Sequence, residues 1–224
     1  MLKPILYKDK IVVVITNAVE LSELPILHEQ YYNREGIVIL AGDINMSGVY
    51  YTPPGTLEKP FKWVFDGGMN KITNLNIQVY NRHFGGLLGY ARCTVRNLQL
   101  ENVSVEARSY AGSLIGFADN CRIQNVVVSK INISGRLFVG GLTGGALQTM
   151  VRYGKLDLSE SVIYSTSNKE AMLISQVGPG CVVSDVELTI SSFQKLTLFS
   201  NVINSATRPV FKNIIVHQRE VGIA

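Results

Sequence analysis

The chain is short of charge. Only 17% of its 224 residues are Asp, Glu, Lys or Arg, and 21 basic against 17 acidic side chains leave a net charge of +4. The Lys and Arg are scattered rather than gathered into a run. They read as solvated faces, and no nucleic-acid partner is expected. Long apolar runs are missing too. No stretch approaches the ~18 residues of a membrane helix, so no membrane insertion is expected. The apolar run IVVVI at 11–15 is too short for a signal-peptide core and reads as a first strand. The expected location is extracellular, at a cell surface or on a virion, with a cytoplasmic stage until release left open. Three cysteines, an odd number, make no disulfide framework. The three histidines, His28, His83 and His217, fall outside any repeated position. They compose no Ser-His-Asp or Cys-His set and no metal site, and no cofactor is expected. The single tryptophan, Trp63, alternates with Phe61 and Phe65 on one strand face and reads as core.

What the chain has is repetition. The segments KITNLNI, VRNLQL, IQNVVV, VRYGKL, VSDVEL and FKNIIV align on Asn74, Asn97, Asn125, Tyr153, Asp185 and Asn213, spaced by 23, 28, 28, 32 and 28 residues. Four residues upstream of each lie Asn70, Cys93, Cys121, Thr149, Cys181 and Pro209. Such a period marks a stacked array. Apolar residues stand at minus two, plus one and plus three from the anchor, with polar residues at minus one. That is strand alternation whose parity slips at the anchor, so the chain must bend there. Asn and Asp tolerate the left-handed backbone such a bend needs. Tyr153 suits it poorly, which predicts an irregular coil. The expected fold is all-β: a single-stranded parallel β-helix, right-handed, of six to seven coils of about 28 residues. In it Asn74, Asn97 and Asn125 form a hydrogen-bonded ladder. Cys93, Cys121 and Cys181 point inward as buried free thiols.

A second motif recurs in FGGLLG, AGSLIG, VGGLTG and, degenerately, ISQVG and FSNVIN. These end at Gly89, Gly116, Gly144, Gly178 and Asn204. No helix follows any of them, so they read as turn or close-approach glycines rather than a phosphate cradle. Residues 1–35 form an N-terminal lead-in and cap, with a short helix within 18–33 that Pro25 interrupts. Residues 36–216 form the β-helix and 217–224 the exit. An open coil end there is a pairing hazard that a homo-oligomer or a virion or surface partner would cover. Two loops protrude: 49–60, and 162–172 with the insertion of the 32-residue coil.

These glycine motifs, with GIVILAGDINMSG and PFKWVFDGGMNKITNLNI before them, resemble the GLUG-repeat family. The resemblance is good over about 11–145 and weaker over 146–216. It implies a β-helical scaffold of bacterial surface, adhesin-like or phage proteins and brings no catalytic residues.

The columns offer little chemistry. Glu101 and Asp157 share a column two coils apart, about 9.6 Å, the spacing of an inverting glycosidase pair, and are the candidate acids. Glu187 reads as an ion-pair partner of Lys155. The tyrosines at turns and loops, Tyr50, Tyr51, Tyr80, Tyr90 and Tyr110, are the candidate contact residues for a cell-surface glycan or protein receptor. Two functions follow. One is a non-catalytic binding or structural module of an adhesin or phage tail assembly. The other is a polysaccharide-degrading lyase or hydrolase, which rests on analogy of fold alone.

Overall fold

The computed structural model describes residues 2–192, 194, 196–203 and 207–219. They build an all-β solenoid of about seven coils, about 28 residues each, with one helix. A twelve-stranded sheet runs the length of the stack, sheets of five and four strands join it from Phe84 onward, and all but the N-terminal pairing are parallel. The large sheet climbs from Lys10–Ile15 through Gly36–Leu40, Val64–Asp66, Thr94–Ala107, Arg122–Gly135, Met150–Asp157 and Val182–Ser191 to Val210–Arg219. The parallel ladder thus starts at the IVVVI run, upstream of residue 36, because Ile11–Ile15 pairs with Gly36–Leu40.

The parity slip is a left-handed bend. Asn97, Asn125, Asp185 and Asn213 have φ of 54°, 53°, 57° and 48°. Tyr153 takes the same conformation, with φ 55°, so the bend survives a residue that disfavours it by roughly 1–2 kcal/mol. The expected irregularity lies elsewhere in that coil. Its partners are offset by 28 at Val128↔Leu156, 30 at Ile133↔Ile163, 31 at Val139↔Glu170 and 32 at Met150↔Val182. The four extra residues are spread over three turns instead of forming one loop within 162–172.

The first long coil needs a second correction. Ile72 pairs with Leu100, not with Val95. Asn74 (φ 56°) therefore lies beside Asn102 (φ 55°), 28 residues on, and belongs to a second bend column that continues to Lys130 (φ 52°). The single ladder becomes two. In one, Asn102 donates to Asn74 (2.6 Å) and Asn74 to Asn45 (2.9 Å). In the other, Asn125 donates to Asn97 (3.0 Å) and Asn97 to Asp66 (3.3 Å). Further up, Asn213 donates to Asp185 (2.9 Å). Trp63, not Asn70, stands in the column below Cys93, since Phe61↔Ala91 and Phe65↔Val95 set the register.

The interior is the expected apolar column set. Phe61, Trp63 and Phe65 are fully buried, and the Trp63 indole donates to Arg34 O (2.9 Å). Cys93, Cys121 and Cys181 are buried free thiols. Hydrogen bonding with Cys121, then burial, pushes the Cys93 thiol up, so it stays protonated and inert. The motif glycines answer to close approach and none has a positive φ. A Cβ at Gly144 would lie 2.6 Å from Ala111 N, and one at Gly116 2.8 Å from Gly85 N. Above Gly89, Gly116 and Gly144 the column continues through Ser175 and Ser200. Gly178 is therefore not the equivalent residue, and Asn204 lies outside the described residues. Serine serves there because it is small and its hydroxyl finds a partner across the step: the Ser175 and Ser200 hydroxyls are 2.8 Å apart.

The N-terminal end is covered twice. Ile5–Tyr7 folds antiparallel onto Lys10–Ile15 through left-handed Lys8 and Asp9, the backbone of a type I′ hairpin. Helix α1 (Ala18–Gln30) buries Leu21, Leu24 and Leu27 over the end of the core. It runs through Pro25, losing one backbone hydrogen bond without breaking. Its start is fixed by Asn17, which accepts from Glu20 N (3.0 Å), while Glu20 accepts from Thr16 N (2.7 Å). At the other end, strand Val210–Arg219 pairs with one neighbour among the described residues. There Phe211 is 39% exposed in a column that buries Val183 and Val151 completely or nearly so. Residues 220–224 of the exit lie outside the described residues.

Candidate functional site

Beyond the second bend column, four strand segments lie side by side: 75–79, 103–107, 131–135 and Val162–Ser165. Alternate side chains point inward as Leu75, Ile77, Val103, Val105, Ile131 and Ile133, all buried. The outward positions therefore form two rows. One is Asn76, Ser104, Asn132 and Val162; the other is Gln78, Glu106, Ser134 and Tyr164. Each step along a row is about 4.8 Å, so Gln78 and Tyr164 are about 14 Å apart. The face is rich in amides and hydroxyls, and Glu106 is its one charge. It is bounded by aromatic rings. Tyr164 is 57% exposed at the top, and Tyr50, 75% exposed, stands at the bottom. Tyr50 lines a hollow of about 210 Å³ with Asn74, Asn76 and Gln78. Amides both donate and accept, and a tyrosine offers an apolar ring with a polar tip. Such a surface suits a neutral, hydroxyl-bearing chain.

The other tyrosines are placed differently. Tyr80 is exposed in a turn. Tyr51 is buried, its hydroxyl donating to Leu87 O (2.7 Å). Tyr90 is buried and donates to Asp119 (2.8 Å). Tyr110 stacks between Phe84 and Phe138 and donates to Gln176 (3.0 Å). These three are committed to packing; Tyr50 and Tyr80 remain available. Tyr164 and the amide rows were missed by reading the columns from Asn97 alone. The signal was present as polar residues at the 28-residue spacing 76/104/132 and 78/106/134.

The two candidate acids do share a column, with Ser129 between them. Glu101 is clasped by Lys71 (2.7 Å) and Lys130 (3.4 Å), which hold its carboxyl below the ordinary range. Asp157 accepts from the hydroxyl (2.7 Å) and backbone of Ser159. Lys155 and Glu187 meet at 3.6 Å, as expected. His83 is exposed and contacts the Ser109 hydroxyl (3.0 Å). No three His, Cys, Asp or Glu gather as a metal site among the described residues.

The loop at 49–60 is mostly wall. Pro53 and Pro54 are buried, and Pro54 O and Gly55 O accept from Gly89 N and Tyr90 N of the next coil. Only 56–59 stands out. A cleft of about 580 Å³ separates it from α1, and a Glu29–Lys59 ion pair bridges the two walls.

No protein-family model matches the chain, and no curated protein matches its sequence. A solved structure does resemble it: a Bacteroides ovatus protein described as a "putative immunoglobulin A1 protease", with TM-score 0.53 and 14% identity, over 96% of this chain and 80% of that one. The chain is a β-solenoid. At that identity the likeness concerns the solenoid fold and not the activity. The GLUG resemblance rests on the motif residues alone.

Proposed function

We propose that this β-solenoid is a non-catalytic binding module of a bacterial surface or virion assembly, GLUG-like in kind, that recognises a neutral glycan. The observation that carries the reading is the outward amide and hydroxyl face bounded by Tyr50 and Tyr164. The rigid stack holds those groups at a fixed ~4.8 Å spacing, so little order is lost on binding an extended chain. Sugar hydroxyls would exchange hydrogen bonds with Asn76, Asn132 and Gln78, and the two rings would cover apolar sugar faces. Clasped between two lysines, Glu101 is a poor proton donor, which favours binding over cleavage.

The test is binding to a panel of purified bacterial polysaccharides, with released sugar assayed in the same wells. Saturable binding without release is expected, about tenfold weaker in Tyr50→Ala/Tyr164→Ala with unchanged melting temperature. Unaltered affinity in that variant would remove the face from the site. Release of reducing ends or unsaturated products would make the chain an enzyme instead.

A further inference from the structure

The scattered cations are not scattered in space. Before the first bend column, the outward side chains of the large sheet are the even-numbered ones, since Phe61, Trp63, Phe65, Cys93, Val95, Cys121, Ile123 and Val151 fill the interior. Six of the outward positions on this facet carry Lys62, Arg92, Arg96, Arg122, Arg152 and Lys212. The pairs Phe61↔Ala91 and Phe65↔Val95 set Lys62 beside Arg92. Arg122 pairs with Thr94, and Arg152 with Gln124. Each of these two steps is thus one strand up and two residues along. Lys62, Arg92, Arg122 and Arg152 form a diagonal stripe whose members are spaced by 30 residues on a 28-residue coil. Its diagonal steps are about 8 Å.

Acids nearby offset about half of it. Asp119 is paired with Arg92 (2.6 Å) and Asp66 with Arg96 (2.7 Å), and Asp185, which accepts from Asn213, also feels the charge of Arg152; Lys62, Arg122 and Lys212 form no ion pair among the described residues. Lys62 rests over the Tyr32 ring at 4.5 Å, which orders it without neutralising it. Arg152 keeps a buried Nε without a partner. A groove of about 420 Å³ follows the stripe from Lys62 through Arg92 to Arg122, lined also by Thr94, Asn120, Gln148 and Met150, and Arg152 stands two residues beyond Met150 on the same strand. Six cations against Asp66, Asp119 and Asp185 leave this facet net positive, and Lys62 and Arg122 bring uncompensated charge to the groove, with amides beside it.

We propose that this groove is a second binding site, for an anionic polysaccharide bearing carboxylate or sulfate groups. Charge complementarity selects a polyanion. The outward positions between the cations are the half-buried Val64, Thr94, Gln124 and Met150, none of which offers a ring on which a nucleobase would stack, which sets single-stranded nucleic acid aside. The site lies across two bend columns from the Tyr50–Tyr164 face, so it does not depend on the glycan reading above.

Heparin is the probe, with affinity measured from 0.05 to 0.5 M salt. Wild type should bind, with log affinity falling linearly against log salt. In Arg122→Gln/Arg152→Gln the slope should fall by about two and the affinity at low salt about tenfold; in Arg122→Gln alone the slope should fall by about one. Arg108→Gln/Arg136→Gln makes the same charge change off the facet, beyond the 103–107 and 131–135 segments, and should bind like wild type, as should Tyr50→Ala/Tyr164→Ala. Circular-dichroism melting confirms that each variant is folded. Equal losses in the two double charge variants, or no binding by wild type, would overturn the proposal. Displacement of heparin by duplex DNA at lower concentration than by heparin oligosaccharide would overturn the choice of a polysaccharide.

Discussion

At the scale of the residue, the solenoid depends on side chains that accept a left-handed backbone. Asn97 and Asn125 take it cheaply and also bond along the stack. Tyr153 does neither: its φ is 55° and its ring is 62% exposed, so nothing offsets the strain. Tyr153→Asn should stabilise the protein by about 1 kcal/mol, raising the melting temperature by roughly 2–4 °C in a chain of this size. The new amide would also reach the Asn125 carbonyl oxygen below it. A lower melting temperature would mean that the tyrosine ring contributes packing beyond its visible contacts. The bends themselves were legible in the sequence, because a parity slip beside Asn or Asp has few other causes. The assignment of Asn74 was not. Residues 71–77 match the 95–100 and the 99–105 segments about equally well by apolar pattern, and only the pairing of Ile72 with Leu100 decides between them.

At the scale of the element, helix α1 and the first coil make a joint whose chemistry is sensitive to acid. His28 sits among Tyr32, Phe61 and Trp63, with ring centroids 5.7, 4.9 and 5.2 Å away, and its Nε2 has no partner. Burial pushes its pKa down to about 4; Glu29 opposes this, and Lys62 and Lys59 add to it. The unfolded chain takes up that proton near 6.5 and the folded chain only near 4. Stability from this site is therefore whole above pH 6.5 and is lost as pH falls toward 4, by about 3 kcal/mol in all. Melting temperature measured from pH 7.5 to 4 should fall accordingly, and His28→Phe should flatten the curve below pH 6. An unchanged slope in that variant would assign the acid sensitivity to the carboxylates, Glu101 and Asp66 among them. The sequence allowed a short helix here and gave Pro25 as its break. The helix continues because one missing bond costs less than uncovering Leu24 and Leu27.

At the scale of the whole molecule, the period of 28 settled the architecture, and nothing local settled the surfaces. A facet collects residues from successive coils, so neighbours on it are 28, 30 or 31 positions apart in the chain. The basic groove and the amide face both look like noise when read along the sequence. Interior columns are easier, because burial demands apolar residues in every coil, whereas an outward column is free to vary. The same stacking dictates how stability is distributed. Each coil is held by its two neighbours, so an end coil is held by half as much. The N-terminal end has a hairpin and a helix over it. Strand Val210–Arg219 has one partner among the described residues and leaves Phe211 partly exposed. Amide hydrogen exchange should therefore be slowest in Thr94–Ala107 and Arg122–Gly135 and faster in Val182–Ser191. It should be fastest by at least tenfold in Val210–Arg219, with Lys10–Ile15 close to the central strands. Uniform exchange across all coils would show that the stack opens only as a unit. Selective protection of 210–219 at high protein concentration would show instead that another copy covers that end.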